Sequence, residues 1–335
     1  MPQKTFRQAI NEALHQEMKR DDRVIVMGED VAGGSGASGD KDAWGGAFGC
    51  TKGLLGAFGP ARVRDTPITE SAFIGAAGGA ALTGLRPVAE IMYVDFVGVC
   101  LDQIMNQIAK FRYMFGGTAS TPVVIRASYG AGRGGGSQHS QSLYPIFTHI
   151  PGLKVVVPSS PYDAKGLLAQ AIRDDDPVVF LESKMLYNTT GEVPDGAYTI
   201  PFGEANIVRE GGDVLLVAIG RMVGVAEEAA KTLETEGISC CVLDPRTPSP
   251  LDEDTILEKT EEIGRVVIVD ESYPRCGLAA DISSLIAERA FPSLKAPIRK
   301  VTPPHSPVPY APVLERAFVP TPDRVVEAVR AVAKG

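Results

Sequence analysis

A carboxylate at the mouth of a helix and an imidazole in a glycine-flanked turn are the proton-carrying features of this chain. In Val63-Arg-Asp-Thr-Pro-Ile-Thr-Glu70, Pro67 biases Thr66 away from helical dihedrals, so the chain enters extended. Thr69 is the expected N-cap, and Glu70 falls in the first turn, where the macrodipole favours a negative charge. Such a glutamate is either a plain helix-end charge or a proton carrier. Downstream, Arg86-Pro-Val-Ala-Glu-Ile-Met-Tyr-Val-Asp-Phe96 as a strand places Glu90, Met92, Val94 and Phe96 on one face. Met92 and Phe96 are by default core residues. Gln138-His139-Ser140 offers an imidazole that titrates near neutrality, or one satisfied by local hydrogen bonds. Asp174-Asp-Asp176 follows a helix end, where negative charge is unfavourable, so water or a cation must screen it.

The elements that position these groups read clearly. Thr5-Phe-Arg-Gln8 resembles a capping box opening a helix with Ile10, Ala13, Leu14 and Met18 inward. Val24-Ile-Val-Met27 is a strand ending in Gly28-Glu29-Asp30, and the glycine-rich run Gly33 to Gly49 is expected to be a mobile surface loop. In the helix after Glu70, each of Gly75, Gly78 and Gly79 costs about 1 kcal/mol relative to alanine. Gly75 and Gly79, like Ala76 and Ala80, stand at i, i+4, so another backbone should approach closely. Val97 to Phe115 reads as one helix with Leu101, Ile104, Ile108 and Phe111 inward. Strands follow at Pro122–Arg126, Leu153–Val157 and Val178–Glu182, with a helix from Tyr162 to Arg173 that Ser160 could cap. The second half alternates strand and helix from Val214 to Ala290, with a last strand at Ile298–Val301, which means a doubly wound, mostly parallel sheet. The proline-rich tail from Pro292 to Pro322 should be extended, and a helix from Asp323 closes the chain.

Several functions are excluded. Gly130-Ala-Gly-Arg-Gly-Gly-Gly136 fits G-x-G-x-x-G after a strand, yet no amphipathic helix follows before Pro145 and no acidic residue occurs through Tyr162. A dinucleotide site needs both, and Gly136 stands where a phosphate-binding loop has lysine. The loop reads as flexible and as the carrier of Gln138-His139. A net charge of −8 disfavours a nucleic-acid surface. Cys50, Cys100, Cys240, Cys241 and Cys276 are too scattered for a disulfide framework or a zinc site, and His139 and His149 lack further ligands. No apolar run approaches the roughly 20 residues of a membrane span. With no secretory signal at the N-terminus, a cytoplasmic location is expected.

Asp65-Thr-Pro-Ile-Thr-Glu70, Gly84-Leu-Arg-Pro-Val88, Asp102-Gln103, Tyr113-Met-Phe-Gly-Gly117, Gln138-His-Ser-Gln141 and Pro151-Gly-Leu-Lys154 occur in order along nearly the whole chain. Together they resemble the β subunit of the E1 component of 2-oxo acid dehydrogenase complexes, a transketolase-like family with pyruvate and acetoin members. The resemblance implies an α/β fold. A doubly wound, pyrimidine-type thiamin diphosphate-binding domain would span 1–186, a linker 187–203, and a transketolase C-terminal-like α/β domain 204–335. It implies oxidative cleavage or decarboxylation of a 2-oxo acid or acetoin, with the acyl group passed to lipoyl-E2. Val94-Asp-Phe96, Tyr144-Pro-Ile-Phe-Thr-His149 and Thr302-Pro-Pro-His305 look most like acetoin-type members and near pyruvate relatives. A branched-chain E1 β subunit and a non-catalytic E2-docking scaffold are the alternatives.

Residue by residue, Glu70 matches the glutamate that hydrogen-bonds the cofactor's pyrimidine nitrogen and so lets the ring amine deprotonate the thiazolium. Sharing that proton in a pocket walled by Met92 and Phe96 calls for a raised pKa. Phe96 matches a residue stacked on the pyrimidine, and Met92 one lining the pocket. His139 matches a histidine facing the active-site channel that assists acyl transfer, with Gly136-Ser137 before it where alanines are usual. His149 has a matching position and no chemical assignment. A structural potassium site in the family draws on positions matching Val123, Ala171, Ile172, Asp174 and Asp176, with asparagine common at the last. The Gly-Asp-Gly segment that holds the cofactor's diphosphate through Mg²⁺ is absent from this chain. That absence fits a β subunit whose α partner binds Mg²⁺ and diphosphate, in an α₂β₂ heterotetramer, and opposes a self-contained transketolase. The acidic run from Asp252 to Glu271 is either a solvated face or a docking surface for E2.

Overall fold

A computed structural model describes residues 1–33 and 44–333. Residues 34–43, the heart of the expected Gly33–Gly49 loop, lie outside that description. The chain forms two compact units, one of Met1–Tyr129 with Ile146–Phe202, the other of Gly130–Pro145 with Gly203–Gly335.

In the first unit, β1 (Gln3–Thr5) pairs antiparallel with β8 (Thr190–Glu192). The main sheet holds β2 (Val24–Gly28), β3 (Val63–Asp65), β4 (Arg86–Tyr93), β5 (Val124–Tyr129), β6 (Lys154–Val156) and β7 (Val178–Ser183). All are parallel, in the order β3-β2-β4-β5-β7-β6. The helices Phe6–Arg20 and Pro161–Arg173 cover one face, burying Ile10, Leu14, Met18, Leu167 and Ile172 against Val26, Val88, Val124 and Phe180. Their start signals hold. Thr5 and Gln8 form the capping box, and the Ser160 hydroxyl accepts the Asp163 N–H.

The helices Glu70–Leu82 and Val97–Asp102 pack on each other, and the first also meets β4. Here the structure departs from the sequence reading. β4 stays extended only to Tyr93, and Val94–Phe96 turns into a 3-10 helix, so the alternation placing Val94 and Phe96 with Glu90 breaks. The cause is a register shift between Ile91 and Tyr93 against β5, where the Ser128 hydroxyl donates to the Met92 carbonyl at 2.6 Å. The single helix expected over Val97–Phe115 is three pieces: Val97–Asp102, a π turn Gln103–Ile108, and Phe111–Met114. The inserted residue of a π turn rotates the inner stripe. Ile104 and Ile108 stay buried while Leu101 and Phe111 are only partly covered.

Inside the sheet Arg126 stands opposite Glu90 in the β4–β5 register. Its guanidinium donates to Glu90 at 2.7 Å and to both Glu182 oxygens at 2.7 and 2.9 Å. A charged strand residue survives here because neighbouring strands supply carboxylates.

The second unit has a five-stranded sheet in the order β13-β12-β10-β11-β9. Its strands are β9 (Asn206–Arg209), β10 (Val214–Ala218), β11 (Cys240–Asp244), β12 (Val266–Val269) and β13 (Arg299–Val301). All but β9 run parallel. Helices Met222–Glu234 and Pro322–Ala333 bury Met222, Leu233, Val325 and Val329 on one face. Helices Glu253–Ile263 and Leu278–Arg289 pack on each other and on the strands. The tail is not wholly extended, because Pro312 at a first helical position opens a short helix to Phe318.

Candidate functional site

In an open parallel sheet, ligands bind beyond the carboxyl ends of the strands, where the strand order reverses. The chain runs from β2 outward to β3, then crosses back over β2 to β4, so the reversal falls between β2 and β4. At that edge Glu29 directly follows β2, Glu70 opens the helix leaving β3, and Met92 stands one residue before the end of β4 with Phe96 in the turn beyond. An open depression of about 690 Å³ lies beside β3, lined by Ala32, Leu55, Pro60, Val63, Arg64 and Asp65.

Glu70 is the first residue of its helix and is buried, 8% exposed. Thr69 does occupy the N-cap position, but its hydroxyl makes no cap bond and donates instead to the Pro67 carbonyl at 3.3 Å. The short Pro67–Thr69 turn therefore takes the side chain that would have capped the helix. Glu70 acts on two neighbours through its charge. Burial, with the charges of Asp30 and Glu70 added, pushes the Glu29 carboxyl above its ordinary range. Burial and the Glu70 charge push the Cys100 thiol up to about 12. Among the described residues, Thr66 Oγ1 and Gln103 Oε1 are buried with no hydrogen-bond partner. Gln103 packs beside Gly75 of the Glu70 helix, and Thr66 sits in the strand-to-helix turn just before it. Buried polar orphans cost roughly 1–3 kcal/mol each, so this edge fits a polar ligand or partner that satisfies them.

Among the described residues of the chain, no backbone outside the helix comes within 4 Å of a Cβ placed at Gly75 or Gly79. Gly78, not Gly75 or Gly79, is the close contact: a Cβ there would lie 2.8 Å from Ile108 Cγ1, a side chain of the same unit. Ala72, Gly75, Ala76 and Gly79 form an exposed stripe, and Gly79 meets nothing within 4 Å. Large apolar side chains are exposed on the neighbouring segments, namely Val99, Tyr113, Met114 and Phe115.

Met92 and Phe96 are half-buried, and the Phe96 ring meets Tyr93 edge-on with centroids 5.7 Å apart. His139 is half-buried in the other unit, between exposed Gln138 and buried Ser140. His149 is exposed. The loop before His139 is not the flexible carrier its composition implies, since carboxylates of the same unit accept its Ala131, Gly132 and Gly134 amides.

Around Asp174 and Asp176 the screening cations are protein side chains. Lys154 donates to both Asp174 oxygens at 2.7 and 2.8 Å, and Arg112 pairs with Asp176. Arg86 donates to the Ile172, Arg173 and Asp174 carbonyls at 2.9, 2.6 and 2.9 Å, and the Val123 carbonyl accepts the Val178 N–H. A potassium ion here would therefore rely on second lone pairs of backbone carbonyls. Among the described residues no group of three or more His, Cys, Asp or Glu side chains is arranged to hold a metal.

The acidic run of the second half is not one surface. Asp252 caps its helix through the Thr255 N–H, while Asp270 and Glu271 are interior. Only Glu253, Asp254, Glu258, Glu261 and Glu262 face outward. Sequence reasoning missed Glu29, whose position directly after a strand was the available signal. It also missed Glu271 and Glu315 as partners of the glycine loop, for which a single sequence carries none. No helix among the described residues is long and apolar enough to cross a membrane.

Family models for the transketolase pyrimidine binding domain and the transketolase C-terminal domain match residues 2–190 and 203–325. The chain is 61% identical over 327 residues to the β subunit of an acetoin:2,6-dichlorophenolindophenol oxidoreductase from Cupriavidus necator, covering 98% of this chain and 96% of that protein. It is 45% identical to a pyruvate dehydrogenase E1 component subunit β from Rickettsia felis, covering 98% of each. Among solved structures, a split-gene transketolase described as an inactive β4 tetramer superposes with a TM-score of 0.79 at 23% identity, covering 98% of both chains, which speaks to the fold.

Proposed function

The chain belongs to the E1 β-subunit family of the thiamin-diphosphate-dependent acetoin and 2-oxo acid dehydrogenase complexes, and from that premise we propose that it serves an acetoin-cleaving E1. The 61% identity to an acetoin-oxidising relative against 45% to a pyruvate one carries the choice of substrate. The family are oxidoreductases that work in a complex with an α subunit and E2. We take the assembly here to be α₂β₂ and cytoplasmic, with 1–186 as the pyrimidine-binding domain, 187–203 as linker and 204–335 as the C-terminal domain.

Thiamin diphosphate, when bound, supplies carbanion chemistry at a carbonyl carbon. What this chain adds is proton placement. Glu70, buried at the carboxyl edge of the sheet, would share a proton with the cofactor's pyrimidine ring. Glu29 beside it has its carboxyl raised above the ordinary range by burial and by the charges of Asp30 and Glu70, so the two carboxylates of this edge are electrostatically linked. Met92 and Phe96 offer apolar surface that would exclude water from a bound cofactor. His139 would serve as the proton donor or acceptor for acyl transfer to a lipoyl group. With no Gly-Asp-Gly segment, the chain leaves Mg²⁺ and the diphosphate to the α subunit. The exposed Ala72, Gly75, Ala76 and Gly79 stripe, with Val99, Tyr113, Met114 and Phe115 nearby, suits close packing against another subunit. The Ala171, Ile172, Val123, Asp174 and Asp176 segment is proposed to hold potassium through its carbonyls.

Reconstitution with the α subunit of the same source tests the substrate. Acetoin should reduce dichlorophenolindophenol with a kcat/KM at least tenfold above that of pyruvate. A preference for pyruvate would overturn the assignment, and equal activity of every Glu70 variant would leave only a scaffold.

A further inference from the structure

Residues Gly130–Pro145 pack within the C-terminal unit, and there backbone amides anchor the glycine-rich part of the loop that carries His139. At its base the Gly130 N–H donates to the Gln141 carbonyl at 3.1 Å. Nearer the tip the His139 N–H donates to the Gly136 carbonyl at 3.4 Å. Inside the loop the Gly132 N–H donates to Glu315 Oε1 at 2.7 Å, and the Gly134 N–H is shared between the two Glu315 oxygens at 3.2 and 3.0 Å. The Ala131 N–H donates to Glu271 Oε1 at 2.9 Å, and Arg221 donates to the Ala131 carbonyl while standing 2.8 Å from Glu271 Oε2. Both carboxylates are buried, Glu315 at 5% and Glu271 at 4% exposed.

Converging backbone amides of this kind form an anion site. Here the anion is the protein's own, which is why a G-x-G-x-x-G string serves no dinucleotide. The geometry also demands glycine, since φ is +116° at Gly132 and +66° at Gly134, in the left-handed region. Ser137 and Gln138 at the tip of the loop are exposed. The helix Pro312–Phe318 thus ties the glycine segment through one carboxylate that accepts two amides only a few residues before His139.

We infer that Glu315 is a positioning residue for His139, holding the glycine loop so that the imidazole stands where acyl transfer needs it. This rests on the role of His139 given above. Charge-assisted bonds to buried carboxylates are the strong ones, and their loss releases the loop.

The test uses the reconstituted enzyme and a free lipoyl domain. Glu315→Ala should lower kcat for acyl transfer ten- to a hundredfold, as small misplacements of a reacting group do. It should also speed amide exchange in the peptide 130–141. Glu315→Gln keeps an accepting oxygen and the side-chain shape, so it should fold and fall between wild type and Glu315→Ala. The double variant Glu315→Ala/His139→Ala should be no slower than His139→Ala, because both changes disable one device. Additive losses, or wild-type exchange and transfer in both Glu315 variants while His139→Ala is slow, overturn the positioning role and leave the histidine reading intact. Unchanged transfer in His139→Ala overturns the histidine reading itself, and the inference with it.

Discussion

Replacing Arg126 by methionine measures what the buried charge cluster contributes. The wild-type guanidinium satisfies Glu90 and Glu182 from one side chain only 1% exposed, and the Tyr187 hydroxyl adds a bond to Glu182 at 2.9 Å. Methionine keeps most of the aliphatic volume and strands two carboxylates in the interior. Breaking a buried pair this way costs about 3–5 kcal/mol. In a domain of this size each kcal/mol moves Tm by roughly 2–4 °C, so a fall on the order of 10 °C is expected. The sign of the pH dependence follows from Glu90, whose carboxyl burial pushes above its usual range, against the pull of the Arg126 charge and with the push of Glu182. A carboxyl raised on folding binds its proton more tightly in the folded chain than in the unfolded one. Its cost is absent below the unfolded value and grows as pH rises through the folded one. Arg126→Met removes the opposing charge, so the deficit should be larger at pH 8 than at pH 5.5, and adding Glu90→Gln should restore part of it. Thermal melts of the chain across that range read both effects. An unchanged Tm, or a deficit that grows toward acid, would refute the reasoning.

Gly78→Ala should destabilise by about 1–3 kcal/mol, because its Cβ would fall 2.8 Å from Ile108 Cγ1 in a packed interior. Gly79→Ala faces open space and should stabilise the isolated chain by roughly 0.5–1 kcal/mol, yet weaken assembly with the α subunit. Melting curves and analytical ultracentrifugation separate the two, and identical behaviour would contradict the stripe assignment. Exchanging Na⁺ for K⁺ at constant ionic strength should raise Tm; at ten times Kd the gain is roughly 1.4 kcal/mol. Superimposable melts would remove potassium from the Asp174 segment.

Much of the scaffold was legible because local signals agreed with tertiary structure. The Thr5 capping box, the Ser160 cap and the strand–helix alternation from Val214 onward all stand as their residues imply. The failures share a cause. The π turn at Gln103–Ile108, the 3-10 turn at Val94–Phe96 and the Thr69 hydroxyl bond depend on neighbours that a single sequence does not reveal. Periodicity assumes that an element continues, and it misplaces residues wherever a register shift intervenes. Glu70 was visible from its place after Pro67, whereas its influence on Glu29 and Cys100 required the strands to be brought to one edge. The glycine loop shows the limit most plainly, for its composition implies freedom while distant carboxylates tie it down.

The most direct measurement is turnover of the reconstituted α–β enzyme carrying Glu70→Gln, with thiamin diphosphate binding followed in parallel. An uncharged amide of the same shape should lower kcat by about 10² to 10⁴ while the complex still assembles. Wild-type kcat in that variant would contradict the assignment of proton control to Glu70.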